Sequence, residues 1–297
     1  MGLLNSVAAW FNPGAIAGGP EAAIVTHTIE AVDSQLRTVP AYQERLLPAI
    51  EHATAYCESL VAAIPGPIDV SSEVFATDAR VRSIFPAVED IGISLGRSMA
   101  VRDGLRRIAD QADGFAFALL GMRRRRTMDA ATRDWSLVGD GLVPFADHTF
   151  RSVGAGTAET RRYLAQAAFD GLVIGFGSRW TELCRRQARA GSEQRVETEL
   201  ARVRSPEIGQ PSIHAQHLVH AAQQPTPAHM LEALVEWLQF PEEQLRLDGT
   251  AAAADLALPV LIGRDRRHWP VCLARIPLDE TLEAVARETR VHRYILI

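Results

Sequence analysis

The sequence predicts a mainly helical fold with a smaller α+β part: a helical bundle or long antiparallel helices, followed by a β-hairpin and a small C-terminal sheet. Three observations carry this. Apolar residues recur every three or four positions from Pro20 to Met122 and again from Leu164 to Leu183. Gly139-Asp140-Gly141 separates two short apolar runs in the manner of a hairpin turn. The C-terminal part alternates short β-rich runs with one helical pattern.

Leu3, Leu4, Val7, Ala8, Trp10 and Phe11 share one face of a short helix stopped by Asn12-Pro13-Gly14. That face is expected to dock on protein rather than on a membrane, because no basic residues border it. Pro20 opens a helix, Pro40 ends it and opens a second, and Pro48 kinks that second helix, which runs to Ala63. Pro65-Gly66-Pro67 is a break, after which Ser71 or Ser72 caps a helix to about Ile84 and Pro86 starts another.

Val101, Leu105, Ile108, Ala112, Phe115, Leu119 and Met122 follow at spacings of 4, 3, 4, 3, 4 and 3. The spacing predicts one helix with a heptad seam, packed within a bundle or against a second chain as a coiled coil. The interface residues expected on it are Val101, Leu105, Ile108, Phe115, Leu119 and Met122. Trp135–Val138 and Leu142–Phe145 are the predicted hairpin, and a long helix from Ala158 is expected to pack on the seam. A helix at 227–239, strands at 259–262, 271–276 and 293–297, and a helix at 279–288 complete the chain. The organisation expected is a helical region over 1–130, the hairpin and long helix over 131–205, and an α+β region over 206–297, beyond a linker at Ser205–Pro211.

With 297 residues, 47% hydrophobic and 23% charged, the chain has the composition of a globular protein that buries a core. All 31 basic residues are Arg, which removes lysine chemistry and suits a GC-rich bacterial genome. Cys57, Cys184 and Cys272 are odd in number and far apart, which argues against a disulfide framework or a cysteine zinc site. The longest apolar run, Gly114–Met122, is far short of a membrane span, so a cytoplasmic location is expected. Charge is uneven: residues 96–204 carry 19 Arg against 13 acids, whereas residues 1–95 carry 4 against 11 and residues 205–297 carry 8 against 12.

Four features invite chemistry. His214, His217 and His220 stand at helical i, i+3 spacing, so two imidazoles can face one divalent metal, with His268, Asp265 or His148 supplying a third ligand. Asp147-His148 has a metal dyad's residue types, but neighbours on a strand point to opposite faces. Gly92-Ile-Ser94-Leu-Gly96 spells a nucleophile elbow inside a helical pattern, where no strand-to-helix turn exists to expose the serine. Arg123, Arg124, Arg125 and Arg126 close the seam helix, where positive charge offsets the macrodipole and is available to a polyanion.

No catalytic constellation is complete. The function expected is non-enzymatic binding or assembly, as an adaptor or scaffold acting through helical surfaces on a protein partner or a second copy. A metal-dependent hydrolase built on His214, His217 and His220 is the alternative. Binding of nucleic acid or another polyanion through Arg123–Arg126 is a third reading, disfavoured by the acidic chain.

Overall fold

A computed structural model describes residues 19–108, 110–128, 135–137, 145–193, 225–253, 256–263 and 267–295. The helices are α1 (Gly19–Val32), α2 (Tyr42–Ala62), α3 (Ser72–Thr77), α4 (Ala79–Ile84), α5 (Val88–Arg97), α6 (Met99–Ile108), α7 (Thr157–Glu193), α8 (Pro227–Gln239) and α9 (Leu278–Ile295). The strands are β1 (Ile68–Asp69), β2 (Phe115–Arg124), β3 (Arg126–Met128), β4 (Trp135–Leu137), β5 (Phe145–Gly154), β6 (Leu245–Ala253), β7 (Leu256–Gly263) and β8 (His268–Pro277). Chain contacts divide into two units, each discontinuous: residues 1–56 with 169–241, and residues 57–168 with 242–297.

The fold class differs from the expectation of a helical bundle with a small sheet. The second unit is built on a six-stranded sheet in the order β5-β2-β8-β7-β6, antiparallel throughout, with β1 added parallel to β8. Only β6, β7 and β8 of that sheet lie in the C-terminal region; β1, β2 and β5 come from residues before 155. The single seam helix is absent. Its first half is α6, which ends at Ile108, and its second half is β2, entered after Gly114 at φ +73°.

Val101, Leu105 and Ile108 turn one face of α6 into the core, where Ala116, Ala118, Leu120 and Met122 meet it from alternate positions of β2. Phe85, Ile91, Leu95, Phe145, Phe150 and Cys272 fill the same cluster. In the region of the expected hairpin, β4 pairs with β3, Met128 opposite Trp135, while residues 138–144 lie outside the described residues. Residues 293–295 of the expected final strand are the end of α9, the last two lying outside the described residues, and β6, which pattern alone did not suggest, pairs with β7.

The described residues of the first unit are helical. Ile29, Leu36, Leu46 and Ile50 are buried, as are Leu231, Leu234 and Leu238 of α8. Trp237 Nε1 donates to the Leu172 carbonyl at 3.0 Å inside it, and its ring meets Phe176 edge-on at 5.9 Å. His27 Nε2 pairs with Asp170 Oδ1 at 3.0 Å. Thr226 caps α8 and Pro227 occupies its first turn, as the sequence pattern indicates. Among the described residues no helix is long and apolar enough to cross a membrane.

Candidate functional site

The site is built around β5, the terminal strand of the sheet. Its inner side pairs with β2, and two register shifts interrupt the ladder, between Gly121 and Arg123 and between Phe117 and Leu119. Asp147 (φ 52°) and Ser152 (φ 51°) stand opposite these shifts in left-handed backbone, which short polar residues tolerate better than bulky ones. Two bulges therefore bracket the run His148–Arg151.

α6 holds this run from the helix side. Ser98 accepts from the Val101 N–H at 3.3 Å, capping α6, and donates to the Phe150 carbonyl at 3.3 Å. Arg107 donates to the Val153 carbonyl at 2.6 Å. Gly104 lets α6 lie directly on Val153: a methyl group there would sit 2.9 Å from Val153 Cγ1. Arg102 closes the preceding helix by donating to the Gly96 carbonyl at 2.7 Å.

Between β5 and these helices lies an open groove of about 630 Å³. One wall is the six successive residues Ala146–Arg151; the other is formed by Asp90, Ile93, Ser94 and Arg97 of α5 with Ser98–Ala100 at the start of α6, and Arg125 stands at its border. Neighbouring strand residues face opposite sides of a sheet, so a cavity touching six in succession follows the strand's edge rather than one face. The Phe150 carbonyl points out of the ladder toward Ser98, and the N–H of the same residue points the same way in an antiparallel strand.

His148 is fixed by stacking on Phe85 (centroids 4.3 Å apart) and by Nε2 donating to the Ile84 carbonyl at 2.8 Å. A carbonyl only accepts, so the proton is on Nε2 and Nδ1 is the acceptor. Burial holds this imidazole below the ordinary histidine value, against the opposing pull of the Ile84 carbonyl, Asp90 and Asp147, with Arg125 adding to the depression. Burial thus favours the neutral ring.

The acids of the groove already have partners. Asp90 accepts from the Ala87 N–H at 3.0 Å at the start of α5, and Asp147 faces Arg123 at 3.5 Å. Arg97 approaches Glu288 at 3.4 Å. Arg125 and Arg151 have no ion pair among the described residues. Ile93 and Met99 leave apolar surface open on the helical wall, at 39% and 66% exposure.

A second cavity of about 680 Å³ lies beside Phe115 and Leu282. Its one arginine and Asp69 are engaged with each other. Arg275 gives both prongs of its guanidinium to Asp69, at 2.5 and 2.7 Å, and stacks on the Phe115 ring at 4.5 Å. Glu280 receives the Ser72 N–H and hydroxyl, at 3.0 and 2.6 Å.

The residues singled out in the sequence are distributed as follows. His214, His217 and His220 lie outside the described residues, as does Asp265. His148 is committed to Ile84, and among the described residues no three His, Cys, Asp or Glu side chains gather to hold a metal. Val101, Leu105, Ile108, Leu119 and Met122 are buried within the second unit, and Phe115 is exposed on the second cavity. Arg123 and Arg124 end a strand, not a helix, so no macrodipole explains them. Arg123 stacks over Trp269 at 4.9 Å, Arg125 borders the groove, and Arg126 opens β3. Ser94 lies within α5 on the groove wall, with no elbow. The sequence reading did not select Arg151, Ile93 or Met99. Of the groove, only Asp147-His148, Ser94 and Arg125 carried a signal. No protein-family model, curated protein or solved structure matches this chain.

Proposed function

We propose that this chain is a non-enzymatic binding protein of the adaptor or assembly type, which takes an extended segment of a partner along the outer edge of β5. The observation that supports it is the groove wall of six successive strand residues, bounded opposite by a helix. An added strand gains main-chain hydrogen bonds from the edge groups other than the Phe150 carbonyl, which Ser98 already occupies, and side-chain contacts from the helical wall, the mode known as β-augmentation. The bulges at Asp147 and Ser152 limit pairing to the run between them, so the edge accepts a short segment and resists open-ended aggregation.

The test is selection of random peptides against the full-length protein, followed by amide hydrogen exchange. Selected peptides should protect the amides of residues 146–151 and lose binding to an Ile93→Glu/Met99→Glu variant, which places charge on exposed positions and leaves the core intact. Peptides that bind both proteins equally, or that protect only amides elsewhere, would refute the proposal.

A further inference from the structure

We infer that the segment taken at the β5 edge is acidic, with carboxylates interleaved with apolar residues; this rests on the edge-binding reading above. Charge is the first argument. Asp147 is matched by Arg123, Asp90 by a backbone amide and Arg97 by Glu288, whereas Arg125 and Arg151, both on the groove, have no such match among the described residues. A guanidinium satisfies carboxylates through paired N–H donors and stays charged at every physiological pH.

Shape is the second argument. An extended segment sends successive side chains to opposite sides. Ile93 and Met99 offer apolar contact from the helical wall, so alternate residues toward them are apolar and the others reach for arginine. His148–Arg151, the run between the two left-handed residues, is about 13 Å long at ~3.3 Å per residue, enough to pair four or so residues. A free segment fits this groove better than a second copy of β5, which would bring its own α5 and α6 into the same space.

The experiment uses the full-length protein and three labelled, N-acetylated peptides: Thr-Val-Glu-Ile-Glu-Val-Thr, the same with Gln for Glu, and the same with Lys for Glu. Fluorescence anisotropy at low salt should show the Glu peptide binding about tenfold more tightly than the Gln peptide, and the Lys peptide most weakly. Arg125→Ser and Arg151→Ser should each weaken the Glu peptide roughly fivefold, with far-UV circular dichroism unchanged, and raised salt should do the same to wild type. Equal binding of the Glu and Gln peptides, with residues 146–151 protected by both, overturns the acidic inference and leaves edge binding standing. No binding by any of the three, with no protection of those residues, overturns both. A wild-type dimer that Met99→Glu converts to a monomer makes a second copy the occupant and overturns the inference.

Discussion

Replacing Gly104 by Ala tests whether β5 is held where the groove needs it. An exposed helical Gly→Ala change stabilises by up to about 1 kcal/mol, because alanine has the better helix propensity. At Gly104 the new methyl would instead lie 2.9 Å and 3.1 Å from the two Val153 γ-carbons, and closer still to its Cβ. Comfortable carbon contacts are ~3.5–4.0 Å, so α6 and β5 must part by roughly 1 Å. Overpacking of this kind costs about 1–3 kcal/mol, and Val153 is fully buried with no slack. The expected net effect is a loss of about 1–2 kcal/mol. Gly92 in α5 is the control: nothing lies within 4 Å of its added methyl, so Gly92→Ala should stabilise. Urea unfolding followed by circular dichroism should therefore move the midpoint down for one alanine and up for the other. A Gly104→Ala protein at least as stable as wild type would refute the close approach of α6 to β5.

Two further substitutions test the two units separately. Trp237→Phe keeps much of the ring's apolar bulk but removes the indole N–H that donates to the Leu172 carbonyl, so urea unfolding should show a loss of about 0.5–1.5 kcal/mol; an unchanged midpoint would mean the indole hydrogen bond contributes nothing. His148 gives a pH signature. Its depressed folded-state value leaves the folded protein less ready to take a proton than the unfolded chain, whose histidines titrate near ~6.5. Stability should fall as pH drops below that value, and His148→Gln should flatten the fall; identical slopes between pH ~7.5 and ~5.5 would contradict the assigned environment.

The parts of the fold legible in the sequence are those with local punctuation. Thr226-Pro227 starts α8, Ser71 caps α3 through the Val74 amide, and Pro65-Gly66-Pro67 separates α2 from β1. The seam misled because its second half is apolar at almost every position. In Phe115–Met122 a 4-3-4 count finds apolar residues whichever period the backbone follows, yet it is the alternate residues Ala116, Ala118, Leu120 and Met122 that enter one core cluster, as a strand requires. Leu119 and Met122, read as one face, point to opposite faces of β2. The informative mark was Asp113-Gly114, a turn dipeptide inside the supposed helix.

β6 escaped because a run of alanines carries little strand preference: its Leu245 and Leu247 alternate, but Ala251–Ala253 come after Gly249 at φ 63°. Of the groove, Asp147-His148 was visible as a polar pair, whereas its relation to Arg151, Ile93 and Met99 depends on β5 being an edge. Strand order is set by pairings distant in sequence, and no local pattern states it.

β8 lies near the end of the chain but at the heart of the sheet. It receives β2 on one side and both β7 and β1 on the other, so Ile68 waits for Ala274 and Leu120 for Cys272. During synthesis on the ribosome, β2 has only β5 to pair with until residues 268–277 emerge. The nascent chain must carry an unfinished sheet, with a long apolar strand open on one side, until β8 has been made. A stalled or truncated product ending before β8 would thus expose Ala116–Met122, making this protein a client for chaperones that recognise extended apolar segments.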